Sequence, residues 1–468
     1  MIPLPLAAVA ETTGGVAHGD PATVVAGPVV IDSRAVEPGA LFVALRGERA
    51  DGHDFAPAAL AAGAAAVLAE RPVEGGPSVV VPDAQEALGR LARGVLARLP
   101  DARVVAVTGS AGKTSTKDLI AHLLERSGPT VWPPGSFNNE IGLPLTVLRA
   151  DAATRHLVLE MGARGVGHIA YLAGIAPPHV GVVLNVGTAH LGEFGSPEGI
   201  ARAKGELPEA VGPDGTVVLN ADDPLVRGMA ARTKAPIVLF GRGPDAEVRA
   251  VDERLDDAGR PVFTLVTPEG SAPVALRLHG AHAVLNALAA AAAARASGVG
   301  LADIAAGLAD AVPASRWRME VTERADGVTV VNDAYNANPD STRSAVDVVR
   351  HMARGRRAFA VLGEMAELGD SSVAEHAKIG QHVARSGFDG LITVGGAASA
   401  MAEGAGQVAS WTGECVQVDD VGTAVTVLSE RLRPRDVVLV KGSRVAGLER
   451  VAEALLADGR PAAGGGRR

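Results

Sequence analysis

Short runs of valine, leucine and isoleucine recur through the middle of the chain, and segments with helical spacing of apolar residues separate them. Runs that are apolar at every position indicate strands buried on both faces, as in a parallel sheet covered by helices. We therefore predict a parallel-sheet α/β domain here, with strands at Val104–Val107, Leu157–Leu159, Val180–Leu184, Val217–Leu219 and Ile237–Phe240.

The same alternation returns in the last third of the chain and appears, less regularly, in its first hundred residues. After a helical segment at Ala281–Ser297, a second α/β domain is predicted from strand candidates at Val328–Val331, Phe359–Leu362, Leu391–Val394 and Val437–Val440. The first block combines an alanine-rich helical pattern at Ala56–Ala66 with short strand candidates at Val29–Ile31, Leu41–Val43, Val67–Leu68 and Val79–Val81.

These blocks predict an α/β protein of three domains. A helix end before Pro100 and the pair Val312-Pro313 mark the boundaries, because proline follows helix ends. We expect a small N-terminal α/β domain over residues 1–100, a central domain over 101–312 and a third domain over 313–460. The glycine- and arginine-rich residues 461–468 are expected to form a disordered tail.

The first strand candidate of the central domain runs into a glycine turn and then into a helical pattern that begins near Thr116. The turn reads Thr108, Gly109, Ser110, Ala111, Gly112, Lys113, Thr114 and Ser115. Loop amides and the helix dipole face phosphates in such a turn, the lysine supplies a cation, and the threonine hydroxyl reaches Mg²⁺. Val107 stands where the usual motif has glycine, so this is a shorter variant. The segment predicts a nucleoside triphosphate site.

Polar residues follow several other predicted strands at their carboxyl ends, where ligands of open α/β sheets bind. Glu160 and His190 follow two strands that look adjacent. A carboxylate suits Mg²⁺ well, whereas imidazole is a softer donor. His190 is therefore explained equally well as an ordinary loop or core histidine.

Other candidates have structural explanations that stay open. The default interpretation of Lys204 is a solvated lysine on a helix. The segment Asp333–Pro339, which contains Asn336 and Asn338, is either a binding loop or an Asx-rich turn. Lys441, Ser443 and Arg444 form either a site for a carboxylate or phosphate or an ordinary basic turn. Arg34 and Arg46 lie near strand ends, where their guanidinium groups would suit a diphosphate.

Composition excludes several classes of protein. A net charge of -9 provides no basic field for nucleic acid or an anionic membrane surface. The single cysteine, Cys415, excludes an intramolecular disulfide framework and is typical of a reducing cytosol. We expect no signal peptide, because no cation precedes the apolar N-terminus, and no membrane span, because Ala287–Ala294 is too short. Gly395-Gly396 lacks a full dinucleotide motif, so no NAD or FAD site is expected.

Several motifs in fixed order together resemble a Mur ligase. The resemblance spans about residue 32 to residue 444. It is carried by Asp32–Arg34, Leu41–Arg49 with Asp51–Phe55, Thr108–Ser115, Asn138–Pro144, Glu160–Ala163, Asn185–Gly192, Asp333–Asn338, Gly363–Gly369 and Val440–Arg444. Of the family's branches, the set is most similar to the one that adds D-Ala-D-Ala.

The resemblance implies a UDP-substrate-binding N-terminal domain, a central ATPase domain and a C-terminal Rossmann-like ligase domain. It implies a cytoplasmic enzyme of peptidoglycan precursor synthesis that uses ATP and Mg²⁺. ATP would phosphorylate the C-terminal carboxylate of UDP-MurNAc-tripeptide, and the amine of D-Ala-D-Ala would attack the acyl phosphate. Both substrates are small molecules, no nucleic acid or membrane insertion is implied, and a monomer is our default expectation.

The resemblance also implies roles for individual residues. Lys113 would be the phosphate lysine, and Thr114, Glu160 and His190 would be metal ligands. Lys204 falls where the family carries a carbamylated lysine. The remaining implied contacts are to the nucleotide, by Asn286, Arg318 and Asp333; to the uridine diphosphate, by Ser33, Arg34 and Arg46; and to the peptide substrates, by Asn138, Asn139, Asn336, Asn338, Lys441, Ser443 and Arg444.

Two departures from the family pattern stand out. Many Mur ligases have His-Asn where this chain has His282-Ala283, which puts one adenine contact in doubt. Arg316 and Arg318 are both candidates for the nucleotide contact, and we prefer Arg318 because Glu320 follows it at the expected spacing. The alternatives are a Mur-type ligase for another amine, such as a tripeptide-forming or folylpolyglutamate-like enzyme, and a non-ligating, ATP-hydrolysing regulatory module.

Overall fold

A computed structural model describes residues 1–48, 50–187 and 194–458. Its first part is a five-stranded sheet in the order β2-β7-β6-β5-β4, beside a β1-β3 pair. The elements are β1 Leu4–Pro5, α1 Leu6–Thr13, β2 Val16–His18, β3 Val24–Val25, β4 Val29–Val30, β5 Leu41–Val43, α2 Ala56–Ala61, β6 Ala66–Ala69, β7 Ser78–Val80 and α3 Ala84–Leu96, with 3-10 turns at Ser33–Ala35 and Gly52–Phe55.

Helix α2 is shorter than the predicted helix at Ala56–Ala66, which was wrong in its second half. Gly63 takes a left-handed φ of 104°, which a helix cannot continue, and Ala66 begins β6. Helix α3 begins where Asp83 accepts a hydrogen bond from the Glu86 amide at 2.8 Å.

The central part is a nine-stranded sheet in the order β16-β15-β14-β13-β12-β11-β8-β10-β9. Its elements are β8 Arg103–Thr108, α4 Lys113–Glu125, β9 Thr130–Val131, α5 Gly142–Val147, β10 His156–Glu160, α6 His168–Ile175, β11 Val180–Val183, α7 Pro197–Lys204, α8 Glu206–Ala210, β12 Thr216–Asn220, α9 Pro224–Gly228, β13 Ile237–Gly241, β14 Val248–Leu255, β15 Pro261–Thr267, β16 Gly270–Ala275, α10 His282–Ala296 and α11 Leu301–Asp310, with a 3-10 turn at Met229–Arg232.

The five predicted strands, which are β8, β10, β11, β12 and β13, pair in parallel as predicted. Strands β9 and β14, which extend the parallel part, and the antiparallel pairing of β14, β15 and β16 were not predicted. Residues of β15 alternate between buried and half-buried, so one face of the extension is partly open. The prediction that the strands before Glu160 and His190 are adjacent is wrong, because β8 lies between β10 and β11. The phosphate-loop strand therefore has both of them as neighbours.

The last part is a six-stranded sheet in the order β17-β18-β22-β19-β20-β21, parallel except for β17. Its elements are β17 Glu320–Glu323, β18 Thr329–Asn332, α12 Pro339–Ala353, β19 Ala358–Leu362, α13 Ser372–Arg385, β20 Gly390–Val394, α14 Ser399–Gly406, β21 Glu414–Val418, α15 Val421–Arg431, β22 Val437–Lys441 and α16 Glu449–Asp458, with 3-10 turns at Gly369–Ser371, Gly396–Ala398 and Arg444–Ala446.

Both α/β sheets have buried faces, as their continuous apolar runs predicted. Every residue of β10, β19, β20 and β22 is buried. Among the described residues, no helix is long and apolar enough to cross a membrane. The tail prediction for 461–468 lies outside the described residues.

Candidate active site

A cavity of about 650 Å³ lies where the carboxyl ends of the central strands face the third sheet. It brings together residues that are far apart in sequence. The predicted site residues among its walls are Ser110, Ala111, Gly112, Lys113, Thr114, Ser115, Asn138, Asn139, Glu160, Lys204, Asn286, Arg318, Asp333, Asn336, Asn338 and Lys441. Their convergence agrees with the expectation that ligands bind at this edge of the sheet.

The loop from Gly109 to Gly112 connects β8 to α4, whose first residue is Lys113. Gly112 has a φ of 82°, and a Cβ there would lie 2.5 Å from the Asn286 Oδ1 atom, so only glycine fits. The Lys113 Nζ atom donates to the Gly109 carbonyl at 2.8 Å. Burial lowers the pKa of Lys113, an effect that the Glu160 carboxylate opposes. The loop thus presents a cation and the N-terminus of α4 to the cavity.

The Glu160 carboxylate is buried, with 1% of the residue exposed, and each of its oxygens is engaged. Thr114 Oγ1 donates to Oε2 at 2.9 Å. Ser136 Oγ and Asn138 Nδ2 both donate to Oε1 at 2.7 Å. A carboxylate and a hydroxyl held side by side next to a phosphate loop form an oxygen donor set of the kind that Mg²⁺ uses.

Arg318 reaches this cluster from the third sheet's side. Its Nη2 atom donates to Thr114 Oγ1 at 3.1 Å, and its guanidinium lies 4.1 Å from the centroid of the Tyr335 ring. The flanking residues Trp317 and Met319 have left-handed φ values of 60° and 48°, unusual for large side chains. Left-handed backbone costs free energy at such residues, so the surrounding contacts must hold the chain in this conformation on both sides of Arg318.

Strands β18 and β22 are parallel neighbours; Asp333 directly follows β18, Lys441 ends β22, and both residues belong to the cavity wall. Lys441 Nζ donates to Asp333 Oδ2 at 2.5 Å and to the Asn336 carbonyl at 2.9 Å. The other Asp333 oxygen accepts from the Met319 amide at 3.0 Å. Burial lowers the pKa of Lys441, and Asp333 opposes that effect. The basic-turn alternative does not describe Lys441, since it is buried and paired.

Lys204 ends α7 and is only 4% exposed. Burial, with a smaller contribution from the Lys113 charge, holds its pKa well below the usual value for lysine. The default interpretation of Lys204 as a solvated helical lysine is therefore wrong.

Several asparagines of the site also have local structural roles. Asn338 caps α12 by accepting from the Ser341 amide at 2.8 Å, and Asn336 Oδ1 accepts from the Ala337 amide. Asn139 Oδ1 accepts from the Gly142 amide at 2.8 Å at the start of α5. The Asx-turn alternative for Asp333–Pro339 thus describes part of what Asn336 and Asn338 do, although both side chains also line the cavity.

The other predicted residues that the structure describes do not line this cavity. Thr108 is buried in β8 and donates to the Met161 carbonyl at 2.8 Å, while Gly109 begins the loop. Ser443 accepts from the Ala366 amide at 2.8 Å, and Arg444 pairs with Glu449 at 2.7 Å. His190 lies outside the described residues.

Ser33, Arg34 and Arg46 belong to the first sheet's surroundings and are separate from the cavity wall. Arg34 is exposed and pairs with Asp32 at 2.7 Å, which holds the pKa of Asp32 at about 2. Arg46 pairs with Glu70 at 3.1 Å.

Sequence reasoning gave no role to three residues that complete the site. Ser136, between Gly135 and Phe137, carried no recognisable signal. Asn185 was part of a quoted motif, and it accepts from the Ala111 amide at 2.9 Å and donates to the Ala111 carbonyl at 3.1 Å. Tyr335 stood in the Asp333–Pro339 segment, where its stacking on Arg318 could not be read from spacing.

Comparison with known proteins identifies the family. The model described as "Mur ligase family, catalytic domain" matches residues 28–96, "Mur ligase middle domain" matches 107–294, and "Mur ligase, glutamate ligase domain" matches 317–444.

A UDP-N-acetylmuramoyl-tripeptide--D-alanyl-D-alanine ligase of Mycobacterium tuberculosis (strain ATCC 25618 / H37Rv) is 49% identical over 98% of this chain and 98% of its own length. A crystal structure of MurF from Acinetobacter baumannii is 34% identical, with a TM-score of 0.87, and the match covers 97% of this chain and 99% of that one. MurF ligase from Thermotoga maritima in complex with ADP is 32% identical, with a TM-score of 0.79 over 92% of this chain and 97% of that one. The chain therefore belongs to the Mur ligase family, in the branch that these relatives represent.

Proposed function

We propose that this protein is an ATP-dependent ligase that joins D-Ala-D-Ala to the C-terminal carboxylate of UDP-MurNAc-tripeptide, in cytoplasmic peptidoglycan precursor synthesis. The names of its relatives and the ADP in a related structure support this. The observation that carries the proposal is the hydrogen bond from Arg318 to Thr114, because it joins the third sheet's polar groups to the phosphate loop in one cavity.

The chemistry requires activation of a carboxylate, because an oxide ion is a poor leaving group. A tripeptide carboxylate oxygen attacks the γ-phosphorus of ATP and the bond to ADP breaks. The D-Ala-D-Ala nitrogen then attacks the acyl carbon, loses a proton, and phosphate leaves. Lys113 and the loop amides would hold the phosphates from one side and Arg318 from the other, offsetting charge in the transition state.

The oxygens of Thr114 and Glu160 fit a magnesium ion, since both face the cavity and the carboxylate is buried. Bound Mg²⁺ would neutralise charge on the transferred phosphate. Ser136 and Asn138 would orient the Glu160 carboxylate through its other oxygen. We propose His190 as a further metal ligand on the family resemblance alone.

We propose that Lys204 is carbamylated. An amine must be neutral to attack CO₂; the nitrogen forms a bond to carbon, loses a proton, and one oxygen takes the negative charge. A lowered pKa increases the neutral fraction of the amine, which supports this proposal. The product is a carboxylate-like group beside Lys113, able to orient the metal or the acyl phosphate.

The remaining roles follow the family resemblance. We propose residues 1–100 as the UDP-substrate domain, with Ser33, Arg34 and Arg46 on the diphosphate, 101–312 as the ATP domain and 313–460 as the ligase domain. The nucleotide contacts would be Asn286, Arg318 and Asp333. The peptide end would be lined by Asn138, Asn139, Asn336, Asn338, Lys441, Ser443 and Arg444. We propose that the protein acts as a monomer on small molecules, without nucleic acid or membrane insertion.

The test is phosphate release from purified protein with ATP, Mg²⁺ and UDP-MurNAc-tripeptide, measured with and without D-Ala-D-Ala. We expect release that depends on the dipeptide and a UDP-MurNAc-pentapeptide product by mass. Release at the same rate without the dipeptide would favour an ATP-hydrolysing module, and ligation of another amine alone would favour a different Mur-type ligase.

A further inference from the structure

The junction between α7 and α8 lies at Gly205, directly after Lys204. Its backbone is helical, with φ of -66° and ψ of -11°, so glycine is not needed there for conformation. It is needed for space, because a Cβ at Gly205 would lie 1.7 Å from the Arg232 Nη1 atom. The Arg232 guanidinium therefore passes against the bare backbone of the residue that follows Lys204.

Arg232 uses this close approach to cap α7. Its Nη1 atom donates to the carbonyls of Ala201 at 3.2 Å and Arg202 at 2.9 Å, within the last turn of the helix that ends at Lys204. Its Nε atom donates to Glu209 Oε1 at 2.8 Å in α8. The Ala201 carbonyl also accepts from the Gly205 amide at 2.9 Å, so Arg232 adds a second donor there, and its positive charge complements the helix dipole. Arg232 thus ties both helices of the junction together.

Glu206 fixes the junction on its other side. This residue is 7% exposed, and its Oε1 and Oε2 atoms accept from the amides of Gly167 at 2.5 Å and Ala170 at 2.9 Å. Those amides stand at the N-terminus of α6, where a carboxylate is favourable. Both anchors act within three residues of Lys204, and neither Arg232 nor Glu206 lines the cavity itself.

We propose that Gly205, Glu206 and Arg232 form a clamp that positions the Lys204 side chain in the cavity. The three are positioning residues that act through Lys204, and the inference rests on the proposed role of that lysine. Arg232 and the contact of Glu206 with α6 together fix the position of the C-terminal end of α7. A lysine side chain has four rotatable bonds, so its nitrogen is placed accurately only if its backbone is fixed.

The sharpest probe is Gly205→Ala, because the three atoms nearest to the added methyl group all belong to the Arg232 guanidinium, which the methyl group would displace from its hydrogen bonds. Gly228→Ala is the matched control: Gly228 has a similar helical backbone, with φ of -61°, and a Cβ there has no atom within 4 Å. Arg232→Ala removes the cap without adding bulk and carries the test if Gly205→Ala does not fold. The double variant Gly205→Ala/Arg232→Ala completes a double-mutant cycle, which measures whether the two substitutions act through the same contact.

Two properties are measured on the full chain: steady-state kcat and KM for ATP, and the ¹³C NMR signal of a carbamate formed from labelled bicarbonate, assigned by its loss in Lys204→Met. We expect Gly205→Ala and Arg232→Ala each to lower kcat roughly tenfold or more, since small misplacements of a reacting group are costly, with KM for ATP changed less than about twofold. The carbamate signal should fall in both, the double variant should be no worse than either single one, and Gly228→Ala should match the parent.

A folded Gly205→Ala or Arg232→Ala protein with the parent's kcat and carbamate signal would overturn the clamp, as would additive losses in the double variant. A parent protein that makes amide product without any carbamate signal would contradict only the proposed modification of Lys204, and the kcat comparison would still decide the clamp. A parent protein that makes no amide product would contradict the proposed function itself.

Discussion

Glu160 and Lys204 are the two buried ionisable side chains on which the proposed chemistry depends most. Each oxygen of Glu160 accepts a hydrogen bond, and the carboxylate shares the cavity with the Lys113 and Arg318 cations. Lys204 has the opposite environment, since burial and Lys113 both disfavour its charged form. Their different environments lead to different predictions.

Glu160→Gln should weaken magnesium binding while the fold is kept. Glutamine preserves the size of the side chain, but it removes the charge and directs an NH₂ group either at Thr114 or at the Ser136 and Asn138 donors. We expect the Mg²⁺ concentration for half-maximal activity to rise about 10- to 100-fold. Magnesium titration of the ligation rate checks this, with Glu86→Gln on the exposed side of α3 as the control. An unchanged magnesium requirement would remove Glu160 from the metal site.

Lys204→Met should stabilise the protein at neutral pH in CO₂-free buffer, although it should abolish most activity. The folded-state pKa of Lys204 lies below its ordinary value of 10.5, so between those two values the unfolded chain binds more protons than the folded one. The stability of the parent therefore rises with pH across that window. Urea unfolding at neutral and alkaline pH should show that the difference in free energy of unfolding between the variant and the parent becomes smaller as the pH approaches 10.5. A constant or growing difference in the free energy of unfolding would contradict a lowered pKa of Lys204.

At the scale of elements, helix α12 begins with a capping box in which Asn338 and Ser341 each bond the other's backbone. Asn338→Ala should lower the free energy of unfolding by about 1 kcal/mol through loss of the cap. Asp420→Ala at the start of α15 is the matched control, because it also caps a helix but lies outside the cavity wall. We expect similar stability losses by urea denaturation and a drop in kcat/KM in Asn338→Ala alone. Equal kcat/KM in the two variants would mean that Asn338 only caps the helix and does not contribute to activity.

Much of the element pattern could be predicted from sequence, because continuous apolar runs such as Val437–Val440 have few explanations other than buried strands. The end of helix α2 was predicted wrongly, and strands β14 to β16 were not predicted at all. Alanine suits a helix and a buried strand alike, so nothing in Ala56–Ala66 except Gly63 marked the change from α2 to β6.

The site was predictable to a similar extent. Strand ends supplied Glu160 and Asp333, since parallel topology brings such ends together. The contact between Arg318 and Thr114 joins residues 204 positions apart, and local patterns contain no information on that distance. Burial of Lys204 was equally hidden, because it depends on how α7 packs.

At the scale of the whole molecule, the cavity is complete only while the third sheet's domain contacts the central one. Arg354 pairs with Asp257 at 2.5 Å, and the His351 ring lies 3.2 Å from the Asp256 carbonyl, so the contact extends beyond the cavity. We expect a non-hydrolysable ATP analogue with UDP-MurNAc-tripeptide to shift the population towards this compact arrangement. Small-angle scattering should show a smaller radius of gyration with both ligands than with neither. No compaction would contradict closure as part of turnover.

The central claim is that the tripeptide carboxylate attacks ATP directly. It is tested by supplying UDP-MurNAc-tripeptide whose terminal carboxylate carries ¹⁸O, with ATP and D-Ala-D-Ala in ordinary water. We predict that each phosphate released alongside an amide bond carries one ¹⁸O atom from the substrate, seen by mass spectrometry. Phosphate without the label would mean that water, not the carboxylate, attacks ATP, and the ligase account would fail.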